Sequence, residues 1–251
     1  MEHLFERAHS ILSDATYVEV FTGAGMSADS GIATYRDTQT GIWENVDPVA
    51  MASISAWRSE PKPMFAWYLW RAQLAQRAAP NAGHRAIAAA RGMTVTTQNI
   101  DNLHERAGSQ DVVHLHGSLF AFRCTDCDTP YDEEIALPKE PVESITPPKC
   151  PVCGSLVRPG VVWFGEALPN DEWAEAERRM STADALLIVG PPGGVFPAAG
   201  LPQIAHARGI PIVEVTPQPT DLSPLADVVV TATAAEALPR ILAGRIDGKD
   251  E

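Results

Sequence analysis

The chain is poor in basic residues and lacks long apolar runs. Its 251 residues include 19 Lys and Arg but 32 Asp and Glu, which gives a formal net charge of −13. This surplus of negative charge argues against nucleic acid or an anionic membrane as the main partner. No apolar run approaches the ~20 residues of a membrane-spanning helix, and the first residues lack the charged-then-apolar pattern of a signal peptide. We therefore expect a cytoplasmic protein with no membrane partner.

Cysteine is also scarce, and its few copies are clustered. The four cysteines form two Cys-x-x-Cys pairs, Cys124 with Cys127 and Cys150 with Cys153, separated by residues 128–149. In a reducing compartment this spacing indicates metal binding rather than a disulfide. Four thiolates suit a tetrahedral zinc and leave no open position, so the predicted role is structural. The intervening segment has few apolar residues, and a bound ion would supply the stabilisation that it lacks.

Elsewhere, short apolar runs alternate with amphipathic helical patterns, which is typical of a parallel α/β sheet. We expect strands at 17–21, 93–97, 112–116, 161–164, 185–189, 212–215 and 227–231, and helices at 2–13, 64–79, 81–90, 171–181, 198–208 and 234–242. The predicted fold class is α/β, a doubly wound, Rossmann-like parallel sheet with a smaller discontinuous domain.

Two segments interrupt this alternation and define the predicted domains. Residues 35–81 contain four of the six tryptophans and are predicted to form a helical insertion. Residues 121–156, which hold the cysteines, are predicted to form a zinc-binding module, and the two segments together make the small domain. The Rossmann-like nucleotide-binding domain then comprises residues 1–34, 82–120 and 157–251.

A glycine turn follows the first predicted strand. Gly23, Ala24 and Gly25 stand between that strand and a helix expected to begin near Ser27. Strand, glycine turn and helix start form the dinucleotide-binding arrangement, in which glycines let a pyrophosphate approach the backbone. Ala28 can take the third small position, where the helix packs on the strand. The motif is short, and an ordinary strand–helix turn is the alternative interpretation.

Polar side chains follow the predicted strand at 93–97. Gln98, Asn99 and Asp101 come directly after it, and His114 and His116 belong to the next predicted strand. The carboxyl ends of parallel strands are where an open α/β sheet binds its ligand. Alternatively, the amides and the acid only cap a helical turn. An imidazole, with an ordinary pKa of about 6.5, suits general base catalysis, although a lone histidine is more often a core residue.

Together these motifs resemble the sirtuins, the NAD-dependent protein deacylases, over nearly the whole chain. Residues 23–32 with 34–37 resemble the first family signature, 97–104 the second and 114–117 the third; the two cysteine pairs follow in the expected place, 161–166 resemble the substrate-binding strand and loop, and 196–202 also match.

The resemblance implies NAD-dependent removal of acyl groups from protein lysines. In that reaction the acyl amide oxygen attacks C1′ of the nicotinamide ribose and expels nicotinamide, and His116 acts as general base on a ribose hydroxyl. The products are free lysine, nicotinamide and O-acyl-ADP-ribose. Asn99 and Asp101 share the catalytic site with His116. The implied cofactors are NAD and zinc, and the implied partners are acyl-lysine protein substrates.

The resemblance also assigns two sets of binding residues. The NAD set is Gly23, Ala24, Gly25, Tyr35, Arg36, Gln98, Asn99, Asp101, Gly190 and Thr216. The substrate set is Tyr68, Arg71, Val161, Val162, Trp163, Phe164, Gly165 and Glu166. The family usually has Phe where this chain has Tyr35, whose ring should still shield the reaction from water.

Tyr68 and Arg71 match the Tyr-x-x-Arg of the sirtuin branch that removes succinyl, malonyl or glutaryl groups. Residues three apart on a helix share a face. A phenol and a guanidinium on one face can hold a carboxylate, the guanidinium by a two-pronged charge-assisted bond. Outside this context, the pair would more simply face solvent. We predict that desuccinylation exceeds deacetylation.

The chain departs from the family after the strand at 185–189. The family usually has Gly-Thr-Ser there, contacting the adenosine half of NAD, whereas this chain has Gly-Pro-Pro-Gly-Gly at 190–194. Thr-Pro-Gln at 216–218 stands where Asn-Pro-Glu is common. Because proline has no N–H and both hydroxyls are gone, we predict weaker or altered NAD binding with unaltered chemistry.

Two alternative functions use the same residues. One is mono-ADP-ribosyl transfer, against which the Tyr-x-x-Arg pair argues. The other is a non-catalytic NAD-sensing or interaction module, suggested by Pro191 and Pro192 and opposed by the intact His116.

Overall fold

The computed structural model describes residues 2–32, 51–190 and 195–246. Its α-helices are α1 (Glu2–Asp14), α2 (Gly25–Ala28), α3 (Ile54–Ser59), α4 (Pro61–Arg77), α5 (Ala82–Ala89), α6 (Leu103–Ala107), α7 (Asn170–Thr182), α8 (Pro202–Ala207), α9 (Ala234–Ile241) and α10 (Ala243–Ile246). Its strands are β1 (Val18–Thr22), β2 (Met93–Thr97), β3 (Val112–His114), β4 (Gly117–Cys124), β5 (Val157–Val161), β6 (Ala185–Val189), β7 (Ile212–Thr216) and β8 (Val228–Thr231). None of the described helices is long and apolar enough to cross a membrane.

Within the described ranges, six parallel strands form the main sheet in the order β3-β2-β1-β6-β7-β8. The winding reverses between β1 and β6, which pair directly. This is the doubly wound order, and the crevice at the carboxyl ends of β1 and β6 is where such a sheet binds ligands. The predicted fold class is confirmed.

Both faces of this sheet are covered by helices. On one face Val20 and Leu187 pack with residues of α1, α5 and α9. On the other face Phe21 and Ile188 pack with residues of α7 and α8. Because both faces are covered, β1, β6 and β7 are buried at every position. A strand buried on both faces has a continuous apolar pattern instead of an alternating one, and this made β6 predictable to the residue.

Strands β4 and β5 form a separate antiparallel ribbon. The prediction that the parallel sheet resumes at 161–164 is therefore wrong. Strand β5 ends at Val161, and Trp163 lies beyond it in a cluster with Trp57 and Phe65 of the neighbouring helices. The apolar run correctly indicated a buried strand in this region. The strand with which it pairs, β4, depends on contacts between residues distant in sequence, which the run does not reveal.

Prolines set two helix boundaries that differ from the predicted ones. Helix α4 begins at Pro61, three residues before the predicted start, because proline lacks only an N–H that the first turn leaves unpaired. The predicted helix at 198–208 is divided into a 3-10 turn (Ala198–Gly200) and α8, which begins at Pro202.

Candidate active site

The predicted cofactor loop lies where β1 and β6 end. The Gly23 N–H donates to the Val189 carbonyl (3.1 Å), and the Gly25 N–H donates to the Gly190 carbonyl (3.0 Å). A Cβ on Gly25 would lie 2.7 Å from the Gly190 Cα, and Gly190 has φ of +50°. Both positions therefore require glycine, and two of the predicted cofactor residues are in direct contact.

Helix α2 buries other residues than the one predicted to pack on the sheet. It starts at Gly25, two residues before the expected start, and ends at Ala28. Ala28 is exposed, so the expectation that it packs on the strand is wrong. Met26 and Ser27 are buried instead, and the Ser27 hydroxyl becomes part of the site.

Ser27, Asn99 and Asp101 form a buried group of hydrogen bonds, termed here the strand-edge network. Asn99 Nδ2 donates to the Gly23 carbonyl (2.9 Å) and to Ser27 Oγ (3.2 Å), and Ser27 Oγ donates to Asp101 Oδ2 (2.9 Å). Asp101 Oδ1 accepts the Leu103 N–H (3.0 Å) at the start of α6. The capping interpretation therefore accounts for this oxygen but not for Oδ2, which is part of the network. Burial raises the pKa of Asp101, although the Leu103 N–H and the Ser27 hydroxyl oppose it.

A second buried set joins β1 to β2 beside this network. Thr22 Oγ1 donates to Thr97 Oγ1 (2.8 Å), which also accepts the Asn99 N–H (3.0 Å). His104 Nε2 lies 3.2 Å from Thr22 Oγ1. Since the Thr22 proton is already donated, His104 is the donor in that contact. Burial lowers the pKa of His104 well below its ordinary value, so the ring is neutral.

The two histidines of the third motif hold successive carbonyls of the β2 turn. His116 Nδ1 donates to the Gln98 carbonyl (2.9 Å), and His114 Nδ1 donates to the Asn99 carbonyl (3.0 Å). Because a carbonyl only accepts, each Nδ1 carries a proton. Burial lowers the pKa of His116 against the opposing effect of the Gln98 carbonyl. His116 is therefore neutral, with the lone pair of a base on Nε2.

The pKa of His114 is shifted in the opposite direction to that of His116. Its Nε2 lies 2.6 Å from Glu105 Oε1. Burial disfavours the imidazolium, but Glu105, the Asn99 carbonyl and Asp101 together outweigh burial and raise the pKa of His114. Of two histidines two residues apart, His116 is suited to accept a proton and His114 to remain a cation.

The predicted substrate segment, 161–166, is held by an ion pair between the buried Arg158 and the half-buried Glu166. Arg158 Nη2 donates to Glu166 Oε2 (2.8 Å) while Nη1 donates to Oε1, and the Trp163 N–H also donates to Oε2 (2.8 Å). The Arg158 guanidinium lies 3.3 Å from the Trp163 ring centroid. The Val162 N–H donates to the His116 carbonyl (2.9 Å), which ties the segment to the histidine.

Glu166, which was predicted to contact substrate, thus uses both carboxylate oxygens inside the protein. Val161 is buried at the end of β5, whereas Phe164 is exposed and its N–H donates to the Ala52 carbonyl (2.8 Å). Gly165 follows with φ of +88°, a conformation that favours glycine.

The Tyr-x-x-Arg pair lies on α4 beside this segment. The ring of the buried Tyr68 lies 5.9 Å from that of Trp163, which lies 5.4 Å from that of Trp57. Arg71 Cζ lies 4.9 Å from the Trp67 ring centroid and 5.7 Å from that of Tyr68. We term Trp57, Trp67, Tyr68 and Trp163 the aromatic wall. It joins the predicted acyl-reading pair to the predicted substrate segment.

The four cysteines converge, although they come from segments far apart in sequence. Their sulfur atoms lie within 4.8 Å of one another, with Cys124 Sγ 3.3 Å from Cys153 Sγ and Cys127 Sγ 3.7 Å from Cys150 Sγ. A tetrahedron with zinc–sulfur bonds of about 2.3 Å has edges of about 3.8 Å. The cysteine set therefore fits zinc in both chemistry and size.

The remaining predicted cofactor residues lie in the glycine loop, at the end of β2 and at the end of β7, and two lie outside the described residues. Ala24 is half-buried in the glycine loop, and the buried Gln98 amide has no hydrogen-bond partner within the described part of the chain. Thr216 Oγ1 donates to the Gln218 carbonyl (2.7 Å), inside its own turn. Tyr35 and Arg36 lie outside the described residues, as do Pro191 and Pro192.

Several residues of the site were given no role by the sequence patterns. Ser27 stood within the glycine motif but was interpreted as a helix start. Thr22 and Thr97 showed only the signal of polar residues at a strand end, and His104 had only its place in the second signature. Arg158 lies in β5 and gave no signal, because its partner Glu166 is recognised only from their contact.

The family model described as the Sir2 family matches residues 23–197. An NAD-dependent protein deacylase of Corynebacterium glutamicum is 57% identical over 250 residues, covering 97% of each chain. The NAD-dependent protein deacylase Sir2 of Mycolicibacterium smegmatis is 50% identical over 228 residues, covering 90% of this chain and 95% of the relative.

Solved structures agree with these relatives. A Sir2 homologue in complex with NAD is 40% identical, with a TM-score of 0.86 over 95% of this chain and 92% of the other. A Sir2 mutant with a p53 peptide and NAD is 29% identical, with a TM-score of 0.78 over 95% of this chain and 97% of the other. The match to the family model takes in the glycine loop, the strand-edge network and the cysteine cluster.

Proposed function

This chain belongs to the Sir2 family and is an NAD-dependent protein deacylase that binds zinc; we propose that it prefers the acidic acyl groups succinyl and malonyl and also removes acetyl. The observation that carries the preference is the position of Tyr68 and Arg71 on α4. Tyr68 packs against Trp163, so the pair stands beside the segment proposed to bind the substrate.

A succinyl or malonyl group ends in a carboxylate, which an acetyl group lacks. The Arg71 guanidinium can hold it through two parallel charge-assisted bonds, and the Tyr68 hydroxyl can add a third. The rings of Trp67 and Tyr68 lie against the guanidinium and restrict its motion, which lowers the entropy lost on binding. Hydrogen bonds to charged groups contribute about 1.5–3 kcal/mol each.

On the opposite side of the site we assign the proton transfer to His116. Its Nδ1 is held by the Gln98 carbonyl, so Nε2 is free to accept a proton from a ribose hydroxyl. When bound, NAD supplies the electrophilic ribose carbon. The strand-edge network would hold its nicotinamide end. At Gly23 and Gly25, where no side chain intervenes, its phosphates would approach the backbone.

The test is steady-state kinetics on one peptide carrying succinyl, malonyl or acetyl lysine. The native enzyme should turn over the acidic peptides with the higher kcat/KM. Arg71→Met should lower kcat/KM for these two by roughly 10- to 100-fold and change that for acetyl by less than about threefold. Arg77→Met is the matched control, because Arg77 lies on the same helix with its guanidinium 5.6 Å from the Trp70 ring. Arg77→Met should leave kcat/KM unchanged for both the acidic and the acetyl peptides.

Two results would contradict the preference: a native enzyme that favours acetyl, or an equal loss on all three peptides in Arg71→Met. Mass spectrometry of the products gives a separate check. Nicotinamide and O-acyl-ADP-ribose should appear with each acyl peptide, whereas ADP-ribosylated unmodified peptide would instead support mono-ADP-ribosyl transfer.

A further inference from the structure

His114 and Glu105 form an ion pair to which the reaction described above assigns no role. Their contact is 2.6 Å long, and the His114 side chain is only 17% exposed whereas that of Glu105 is 42% exposed. Glu105 lies on α6 and His114 on β3, so the pair joins two elements at the carboxyl edge of the sheet.

The other ring nitrogen of His114 points back into the site. It donates to the carbonyl of Asn99, whose side-chain amide reaches Gly23 and Ser27. Glu105, His114 and Asn99 thus form a continuous chain from the protein surface to the strand-edge network. The neighbouring His116 holds the Gln98 carbonyl in the same way, so the peptide groups on either side of Asn99 are both fixed by histidines.

The charged groups facing His114 favour its cationic form. Glu105 contacts it directly, and the negative charge of Asp101, in the turn before α6, also contributes to raising the pKa of His114. His104 of α6 also faces it but is itself kept neutral by burial. A cation here also favours the Asp101 carboxylate, whose own burial works against ionisation.

We propose that His114, held by Glu105, is a positioning residue for the deacylation reaction: it fixes the Asn99 carbonyl and, as a cation, favours the Asp101 carboxylate, and so preorganises the strand-edge network for the nicotinamide end of NAD. The proposal rests on the assignment of that network to NAD and not on the acyl preference. It therefore requires the same effect on every acyl substrate.

Three variants separate the parts of this role. His114→Leu removes the donor and the charge, His114→Asn retains an N–H donor without the charge, and Glu105→Gln removes the anion from an exposed position where folding should be unaffected. Glu177→Gln, the same change on the exposed face of α7, is the control. For each, kcat and KM for NAD and for succinyl and acetyl peptides are measured across pH, together with the thermal midpoint.

His114→Leu should lower kcat/KM for NAD by about tenfold or more on both peptides, because small displacements of aligned groups are costly. His114→Asn should recover part of this loss. The sign of the pH effect follows from the raised pKa of His114: the cation is present below that pKa and is lost as pH rises through it. Glu105→Gln lowers that pKa and should move the alkaline fall of activity to lower pH.

The proposal is overturned if His114→Leu and Glu105→Gln stay within about twofold of the native enzyme with an unchanged pH profile. It is also overturned if His114→Asn loses as much activity as His114→Leu and both lose thermal stability, which indicates mere packing. A native enzyme that favours acetyl would defeat the acyl preference alone, since the His114 effect would still be measurable on the acetyl peptide.

Discussion

The strand-edge network and the aromatic wall are connected through His116, which contacts Gln98 and Val162, but they are built from different interactions. In the network, Ser27, Asn99 and Asp101 are joined by hydrogen bonds of 2.9–3.2 Å. In the wall, the contacts are between rings, such as the 5.9 Å from Tyr68 to Trp163. Hydrogen bonds fix individual atoms, which suits a step common to all substrates, whereas ring packing forms a surface that can discriminate shape and charge. Substitutions in the network should therefore change the rate of removal of every acyl group, whereas substitutions in the wall should change the rate for only some acyl groups.

Zinc removal should have the largest effect, because the β4–β5 ribbon serves both regions. Strand β4 follows His116 and ends at Cys124, and β5 leads to the substrate segment. Structural zinc contributes about 10–16 kcal/mol of binding free energy in small domains. Chelation should abolish deacylation of succinyl and acetyl peptides alike and expose residues 125–156 to protease, and added zinc should restore both properties. Full activity in protein shown by metal analysis to lack zinc would refute this.

His116→Tyr tests the proposed general base, which lies beside the strand-edge network and not in the aromatic wall. Loss of a general base should lower kcat by about 10²- to 10⁴-fold on succinyl and acetyl peptides equally, with an unchanged thermal midpoint. The pH profile of the native enzyme gives a second check. Since the base acts when neutral and its pKa is lowered, activity is present above that pKa and lost as pH falls through it. The acid limb of kcat/KM should therefore lie below the ordinary pKa of about 6.5; a limb above it would count against His116.

Glu166→Gln tests the support of the wall. It leaves the buried Arg158 guanidinium without its anion and weakens the hold on Trp163. We expect a loss of about 1–3 kcal/mol in the free energy of unfolding and a higher KM for acyl peptides with an unchanged KM for NAD. Glu175→Gln, which weakens an ion pair on α7, is the control and should leave both KM values unchanged. A rise in the KM for NAD alone would contradict the division between the two regions.

The smallest effect is expected at residues 190–194, which depart from the family pattern and are predicted to contact the adenosine end of NAD. Pro191→Thr with Pro192→Ser restores two hydroxyls and two N–H groups. Each regained hydrogen bond would contribute about 0.5–1.5 kcal/mol, so NAD should bind several-fold more tightly in isothermal titration while acyl preference stays the same. Unchanged affinity would show that this loop binds NAD in another way.

The sequence predicted the two regions unequally, for physical reasons. Gln98, Asn99 and Asp101 were identifiable because β2 is a clear buried strand and polar residues at its carboxyl end have a known meaning. Tyr68 and Arg71 were identifiable as a pair from the resemblance to the Tyr-x-x-Arg motif, and helical spacing placed them on one face. Their contact with Trp163 was not identifiable, since it depends on how a helix packs on a ribbon.

Partnerships that cross the fold were equally hidden. Nothing local distinguishes Glu166 as the partner of Arg158 from Glu166 as a substrate ligand. The resemblance assigned the general base to His116, but no pattern gave a role to His114, because its ion pair is with Glu105 on another element. Element type and position follow from short-range preferences, whereas the use of a charged side chain depends on its three-dimensional neighbours.

The contact between Gly25 and Gly190 limits how the cofactor loop can evolve or be redesigned. A methyl group on either residue would lie within 2.5–2.7 Å of the Cα of the other. A second substitution cannot compensate for the first, because the opposing residue has no side chain to shorten. Both positions must therefore remain glycine, and a library selected for altered dinucleotide use should retain both glycines and gather its changes at neighbouring positions such as Ala24.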